Sequence, residues 1–190
     1  NSGIGKFSTT ELSKQLSGKS AWASVGVDSY EHAVNAGGSP KDIETILQLM
    51  YLNFTSPRFD QTDLDNLKKM YIPYFGNMES DPNYICSKEL QKTLYQNHVR
   101  RQMTSGAQIE ALNIPALQSV HSKMFGYADD FRFVIVGNVD LTTLKPLVEK
   151  YIGSLPTSKK VEYKVVDDGV RYPEGGVVND FRASMQQPKV

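Results

Sequence analysis

Apolar residues recur at helical spacing along much of the chain, and the clearest example is "SPKDIETILQLMYLNFTSP", residues 39–57. Pro40 suits the first turn of a helix, Ser39 suits the position before it, and Pro57 marks an end. The residues spaced for one apolar face are Ile43, Ile46, Leu47, Met50 and Phe54. The pattern predicts a long helix whose apolar face packs on a core.

Similar patterns predict five more helices along the chain. Ser8 and Glu11 have the spacing of a capping box, so a helix is expected to begin at Ser8 and to stop near Gly18. The other predicted helices follow polar residues that cap helices well, namely Asp60, Asp81, Asn113 and Asp140. Residues 97–107 show no period and are expected to form a loop.

Alternating apolar positions predict strands in two places. Residues 21–36 alternate with a change of parity near Asp28-Ser29, which predicts two strands joined by a turn. The stretch "FRFVIVG", residues 131–137, is β-branched and aromatic and is apolar on nearly both faces. That composition predicts an interior strand covered by helices on at least one face.

The order of these elements indicates an α+β fold. Helices are expected to pack on one face of a mostly antiparallel sheet, in the manner of an α/β roll. The strands are too few for a complete sheet, so we expect one or more N-terminal strands to be missing from a piece of a longer protein. Residues 1–157 are expected to form one domain, and residues 158–190 a linker and the first strand of a following domain.

Composition narrows the possible partners. Lys and Arg together number 21, as do Asp and Glu, in a chain of 190 residues. This balance gives no electrostatic reason to expect nucleic acid or an anionic membrane as a partner. No apolar run approaches the length of a membrane span. The single cysteine, Cys86, rules out an intrachain disulfide and is expected to be a small buried residue.

One short stretch resembles a zinc motif. Asp28-Ser-Tyr-Glu31-His32 matches the end of His-x-x-Glu-His, which zinc peptidases carry on a helix. On a helix, the first and last residues share a face and can ligate one ion. In a strand the same residues lie about 13 Å apart, and Glu31 and His32 point to opposite faces. Because the surrounding pattern predicts strands, we expect no metal ligand here.

The remaining histidines give no catalytic constellation. His121 lies beside the apolar stripe of its predicted helix and is expected to pack there. His98 lies in the predicted loop close to Arg100 and Arg101, without a carboxylate at ligand spacing. We therefore expect no catalytic and no metal-binding residue in this chain, and the residues that would bind substrate cannot be identified from it.

Two stretches resemble a known family. "FRFVIVGNVDLTTLKPLVEKYIGSLP", residues 131–156, is similar to the closing strand and helix of domains in the pitrilysin/insulinase family of zinc peptidases. "GIGKFSTTELSKQLSGKS", residues 3–20, resembles the segment that opens the comparable part of the second half of these proteins. The resemblance covers nearly the whole chain and is strongest to bacterial members built as one long polypeptide.

The resemblance implies a non-catalytic domain, the third of four. Zinc would be held only in the catalytic N-terminal half of the parent chain, and no cofactor is expected in this one. The expected partners are that half, a C-terminal domain of the same chain and a peptide substrate enclosed between the halves. His98, Arg100 and Arg101 are candidate contacts to the other half. Export to the periplasm is expected by analogy.

Two other functions are consistent with the same residues. One is a partner subunit or assembly protein of the family that has no active half at all. The other is a free-standing enzyme that uses His32 or His98, which has the least support because neither histidine has a catalytic companion in the sequence.

Overall fold

Seven α-helices and four short strands make up the part of the chain that the computed structural model describes, residues 2–158 and 166–178. The strands are β1 (Gly3–Ile4), β2 (Phe7–Ser8), β3 (Ala21–Val27) and β4 (His32–Gly38). The helices are α1 (Thr9–Gln15), α2 (Ile43–Thr55), α3 (Gln61–Met78), α4 (Pro82–Leu94), α5 (Gly106–Glu110), α6 (Ile114–Phe125) and α7 (Leu141–Tyr151).

These elements fall into two units. Unit 1 contains Asn1–Asp63 and Asn113–Glu162, and unit 2 contains Leu64–Leu112 and Tyr163–Val190. Each unit is built from two stretches of chain, and the division expected near residue 157 stays a prediction. The predicted linker and the predicted final strand, residues 177–190, both lie partly outside the described residues.

Unit 1 is organised around α2. The β3–β4 hairpin and α7 both pack against this helix. The buried core cluster consists of Leu47, Met50, Phe54, Phe125, Tyr151 and Leu155. The predicted apolar face of residues 43–54 is therefore confirmed as the centre of a core.

Helix α7 is also tied to α2 by polar contacts. The hydroxyl of Tyr151 donates to Glu44 Oε1 at 2.8 Å, and Lys150 Nζ lies 3.0 Å from the same oxygen. The hydrogen bond from Tyr151, with the help of Lys150, lowers the pKa of the Glu44 carboxyl. These contacts fix which side of α7 faces α2.

The β3–β4 hairpin confirms the two strands predicted for residues 21–36. It is antiparallel, with Ala21 opposite Gly38 and Val27 opposite His32. The N–H of Asp28 donates to the carbonyl of Glu31 at 2.8 Å and closes the turn. At the other end Gly38 has φ +153°, and a Cβ there would lie 1.8 Å from the carbonyl oxygen of Ser20. Only glycine fits that position.

Most of the helix caps predicted from the sequence are present in the structure. Ser8 and Glu11 form the predicted capping box, and the hydrogen bonds from Ser8 lower the pKa of Glu11. The side chains of Asp81, Asn113 and Asp140 each accept from a backbone N–H at the start of their helices. Ser39 is the exception, because its side chain makes no cap and α2 starts at Ile43 after a 3₁₀ turn, Pro40–Asp42.

Unit 2 is formed mainly by α3, α4 and α5. Tyr84 is buried, and its hydroxyl donates to the carbonyl of Thr104 at 2.8 Å. Lys68 Nζ donates to the carbonyl of Glu110 at 2.8 Å. The loop predicted for residues 97–107 was only partly right. It contains a 3₁₀ turn, Val99–Arg101, and the start of α5, which Ser105 and Gln108 cap reciprocally.

The prediction of an interior strand at residues 131–137 was wrong for this structure. The stretch is not a strand and has no strand pairing to any described residue. Phe131 and Phe133 pack on the core, whereas Val134 is 74% exposed and Val136 is 92% exposed. A strand needs a hydrogen-bonded neighbour, and the described residues supply none beside this stretch. The predicted α+β class is confirmed, with small antiparallel sheets and many helices.

Phe125 should be the most costly core side chain of unit 1 to remove. It is 2% exposed, and its ring lies 5.2–5.8 Å from those of His32, His121 and Phe131. We expect Phe125→Ala to lower the free energy of unfolding by about 3–5 kcal/mol in urea titrations. Tyr127→Ala, at a side chain that is 55% exposed, is the control and should cost about 0.5 kcal/mol or less. Equal losses in the two variants would contradict this core.

Candidate functional site

The zinc-like stretch folds as a strand end and a turn. Asp28 and Glu31 belong to the turn between β3 and β4, and His32 is the first residue of β4. The His32 ring meets the rings of Phe125 and Phe131 edge to face, with centroids 5.3 and 5.0 Å away. His32 therefore faces the aromatic core, and it is Glu31 that is exposed. The predicted pair of strands is confirmed, but Asp28 to Glu31 form the turn between them and not a strand.

Within residues 2–158 and 166–178, no three side chains of His, Cys, Asp or Glu are grouped so that they could hold a metal ion. None of the helices in those ranges has both the length and the apolar character that crossing a bilayer requires.

The other two predicted packing residues have opposite outcomes. His121 Nε2 lies 2.9 Å from the carbonyl oxygen of Asn53, and the His121 ring packs against Phe59 and Phe125. Burial lowers the pKa of His121, so its prediction as a packing residue is confirmed. Cys86 is exposed, and its expected burial was wrong. Tyr84, not Cys86, is the buried residue of α4.

The candidate contact residues lie together in unit 2. His98 precedes the 3₁₀ turn and accepts at Nδ1 from the N–H of Arg100 at 3.3 Å. Arg100 is 3.9 Å from Asp168, and the Arg101 guanidinium lies 5.4 Å from the ring centroid of Tyr95. The structure thus gives each of the three side chains a defined neighbour.

The backbone that leads into this turn is unusual. Gln96 and Asn97 have φ of +51° and +56°, in the left-handed region that costs free energy for residues other than glycine. Carbonyls nearby stabilise the bend, because the N–H of Asn97 donates to Lys92 at 2.8 Å and that of His98 to Tyr95 at 2.9 Å. The bend leads directly into the 3₁₀ turn that carries Arg100 and Arg101.

A polar pocket of about 330 Å³ adjoins the basic turn. Its lining includes Lys88, Lys92, His98, Arg101, Gln102 and Gln108. Lys88 is 3.2 Å from Glu79, and Lys92 is 3.5 Å from Glu89, so acidic neighbours offset part of the positive charge. The arrangement suits contact with a polar or acidic stretch of polypeptide.

Unit 1 contains a larger groove that sequence reasoning did not locate. Its volume is about 600 Å³. β4 forms one wall, residues 130–139 form the other, and the floor is α2 with Ile46, Leu47, Met50 and Phe54. The signal in the sequence was indirect: an apolar stretch at 131–137 with too few strands to accompany it.

Comparison with known proteins finds a family match over the C-terminal part of the chain and one curated relative. Residues 111–190 match the family described as "Peptidase M16 inactive domain". The chain is 20% identical over 163 residues to the probable zinc protease PqqL of Haemophilus influenzae. The aligned region covers 86% of this chain and 17% of that protein.

Solved structures give the same fold. The periplasmic protease PqqL from Escherichia coli superposes with a TM-score of 0.72 at 21% identity, covering 91% of this chain and 18% of that one. A peptidase M16 inactive domain from Pseudomonas fluorescens superposes with a TM-score of 0.64 at 21% identity, covering 87% of this chain and 42% of the other. The chain therefore spans less than a fifth of the two PqqL proteins.

These findings confirm the resemblance expected from residues 131–156. Over residues 111–190 the chain is similar to the inactive domain of the M16 peptidases, and its fold is that of the solved M16 inactive domain and of PqqL.

Burial of His121 should make stability depend on pH. Its pKa is lowered in the folded state, so the unfolded state binds more protons at mildly acidic pH. We expect the contribution of His121 to be full above about pH 6.5, the ordinary value for histidine, and to be lost as the pH falls below it. Urea titrations from pH 7.5 to 5 measure this slope.

The matched variants are His121→Gln and His98→Gln. The first should flatten the slope between pH 6.5 and 5, and the second should leave it in place. An unchanged slope in His121→Gln would show that another group causes it.

Proposed function

We propose that this chain is the third domain of a longer zinc metalloendopeptidase, where it helps to enclose a peptide substrate and packs against the catalytic half. The observation that carries the proposal is the match of residues 111–190 to an M16 inactive domain, together with the likeness of the chain to zinc-protease relatives. The zinc ion would be bound in the catalytic half, and residues 158–190 would lead into a following domain.

The domain would act through its shape. A peptidase that closes around its substrate needs walls that exclude water and hold the peptide extended. The outer face of the β3–β4 hairpin, which carries the half-exposed Trp22, is a candidate wall. The E. coli relative is described as periplasmic, which supports export of the parent protein.

Zinc content separates this proposal from its alternative. We expect the isolated chain to bind no zinc at stoichiometric level and to cleave no peptide, whereas the parent protein should hold one zinc ion per chain and lose activity in a chelator. Metal analysis and a quenched-peptide assay on both proteins give the result. A parent protein without zinc or activity would favour a partner subunit with no active half, and zinc-dependent cleavage by the isolated chain would refute both.

The basic turn gives a second test. If Arg100 and Arg101 contact the catalytic half, the double variant Arg100→Ala, Arg101→Ala should weaken association of the two halves made as separate polypeptides. We expect about a tenfold higher Kd at low salt and a smaller difference at high salt, because salt screens charge pairs.

The control removes the same charge from unit 1 with Lys14→Ala, Lys41→Ala, at two exposed lysines. Equal Kd changes in the two double variants would mean that net charge, and not the basic turn, causes the effect.

A further inference from the structure

Residues 167–172, which we call the strap, belong to unit 2 and follow the second stretch of unit 1 along the chain. The sequence predicts a linker over these residues, and a linker between domains makes few contacts with the domains that it joins. The strap instead has a closed shape of its own and specific partners in unit 2. Both features distinguish it from an ordinary linker.

Hydrogen bonds within the strap close it into a tight loop. The Asp167 carboxylate accepts from the N–H of Gly169 at 3.0 Å and from the guanidinium of Arg171 at 2.9 Å. The Asp168 carboxylate accepts from the N–H of Val170 at 3.1 Å. Gly169 has φ +74°, a conformation that suits glycine. The Arg171 guanidinium, with the help of the Gly169 N–H, lowers the pKa of Asp167 to about 2, so the carboxylate that closes the loop is charged at neutral pH.

Two side chains of the strap contact unit 2. The Asp168 carboxylate lies 3.9 Å from the guanidinium of Arg100, and the Asp168 side chain is only 19% exposed. The ring of Tyr172 lies against the ring of Tyr95, with centroids 5.4 Å apart. An ion pair and an aromatic pair therefore hold the two ends of the loop.

The backbone of the strap lies close to the same part of unit 2. Gln96 Nε2 donates to the carbonyl of Arg171 at 3.5 Å. A Cβ added to Gly169 would lie 3.8 Å from His98 Nε2, which is an ordinary contact distance. These partners all come from one short segment, residues 95–100, which contains the left-handed bend.

The described residues that follow the strap are exposed. Glu174, Gly175 and Gly176 all lie at the surface, and Val178 is 97% exposed. Apart from chain neighbours, no atom of the described residues lies within 4 Å of a Cβ added to either glycine. Two glycines in such open surroundings allow the backbone to change direction at little cost.

We propose that the strap anchors the outgoing chain to residues 95–100 of unit 2, so that the domain that follows turns about Glu174–Gly176 and not about the whole predicted linker. The proposal rests on the proposed function only for the existence of a following domain. Each surface contact of the strap is weak when taken alone. Together they hold the strap, because its internal hydrogen bonds fix its shape before it docks.

Trypsin cleavage of the parent protein tests the anchoring, because Arg171 is the only Lys or Arg within residues 166–178. A detached linker is a preferred site of proteolysis. We expect trypsin to cut after Arg171 at least about 100-fold more slowly in the parent protein than in a synthetic peptide of residues 166–178. A rate within about threefold of the peptide rate would overturn the proposal.

Variants of unit 2 show what holds the strap, without altering the bond that trypsin cuts. Tyr95→Ala and Arg100→Gln should each raise the cleavage rate about tenfold, because cleavage follows the population of the detached strap. The controls, Tyr74→Ala and Lys69→Gln, remove a tyrosine and a cation from α3 and should leave the rate unchanged. Equal acceleration in the variants and the controls would contradict anchoring by residues 95–100.

Insertions separate anchoring by unit 2 from support by the following domain. A Gly-Ser-Gly-Ser insertion after Gly176 lengthens the joint and should leave Arg171 protected in the parent protein. The same insertion after Gly169 interrupts the loop and should remove the protection. If the insertion after Gly176 also removed it, the following domain would be what holds the strap, and the proposal would be wrong.

The two proposals can fail separately. A parent protein that holds zinc and cleaves peptides, but is cut after Arg171 as fast as the synthetic peptide, refutes the strap alone. Protection of Arg171 in a parent protein that lacks zinc refutes the enzyme alone.

Discussion

Covering the apolar face of α2 is the constraint on which unit 1 depends. Leu47, Met50 and Phe54 are buried from one side by the hairpin and from the other by Phe125 and α7. Two strands shield only part of this face. The part of the face that they leave uncovered forms the floor of the groove between β4 and residues 131–137. Val134 and Val136, at the wall of this groove, are exposed because no described strand covers them.

Local interactions were predictable from the sequence, because they depend on neighbours a few residues away. The Ser8–Glu11 capping box, the caps at Asp81 and Asp140, and the turn after Val27 all formed as expected. The strand at residues 131–137 did not form, because strand pairing depends on a distant partner. The apolar, β-branched composition of this stretch suits an interior strand with a neighbour on each side. The described residues supply no such neighbour.

The candidate sites also differ in whether a local sequence pattern predicts them. The period of the hairpin predicted that Asp28 to His32 could not chelate a metal, and the structure turns His32 toward Phe125 and Phe131. The bend at Gln96 and Asn97 and the groove over α2 were beyond prediction, since each is assembled from residues without a local signature. Family resemblance, and not any catalytic residue, therefore carries the functional proposal, in which the domain supplies walls and contacts.

The most direct test of this account is an experimental structure of the parent protein at a resolution that traces strands. The account predicts one zinc ion in the other half of the chain and none in this domain, which should line the chamber that encloses the peptide. A zinc ion bound by residues 1–190, or a parent protein that binds no zinc, would contradict the account.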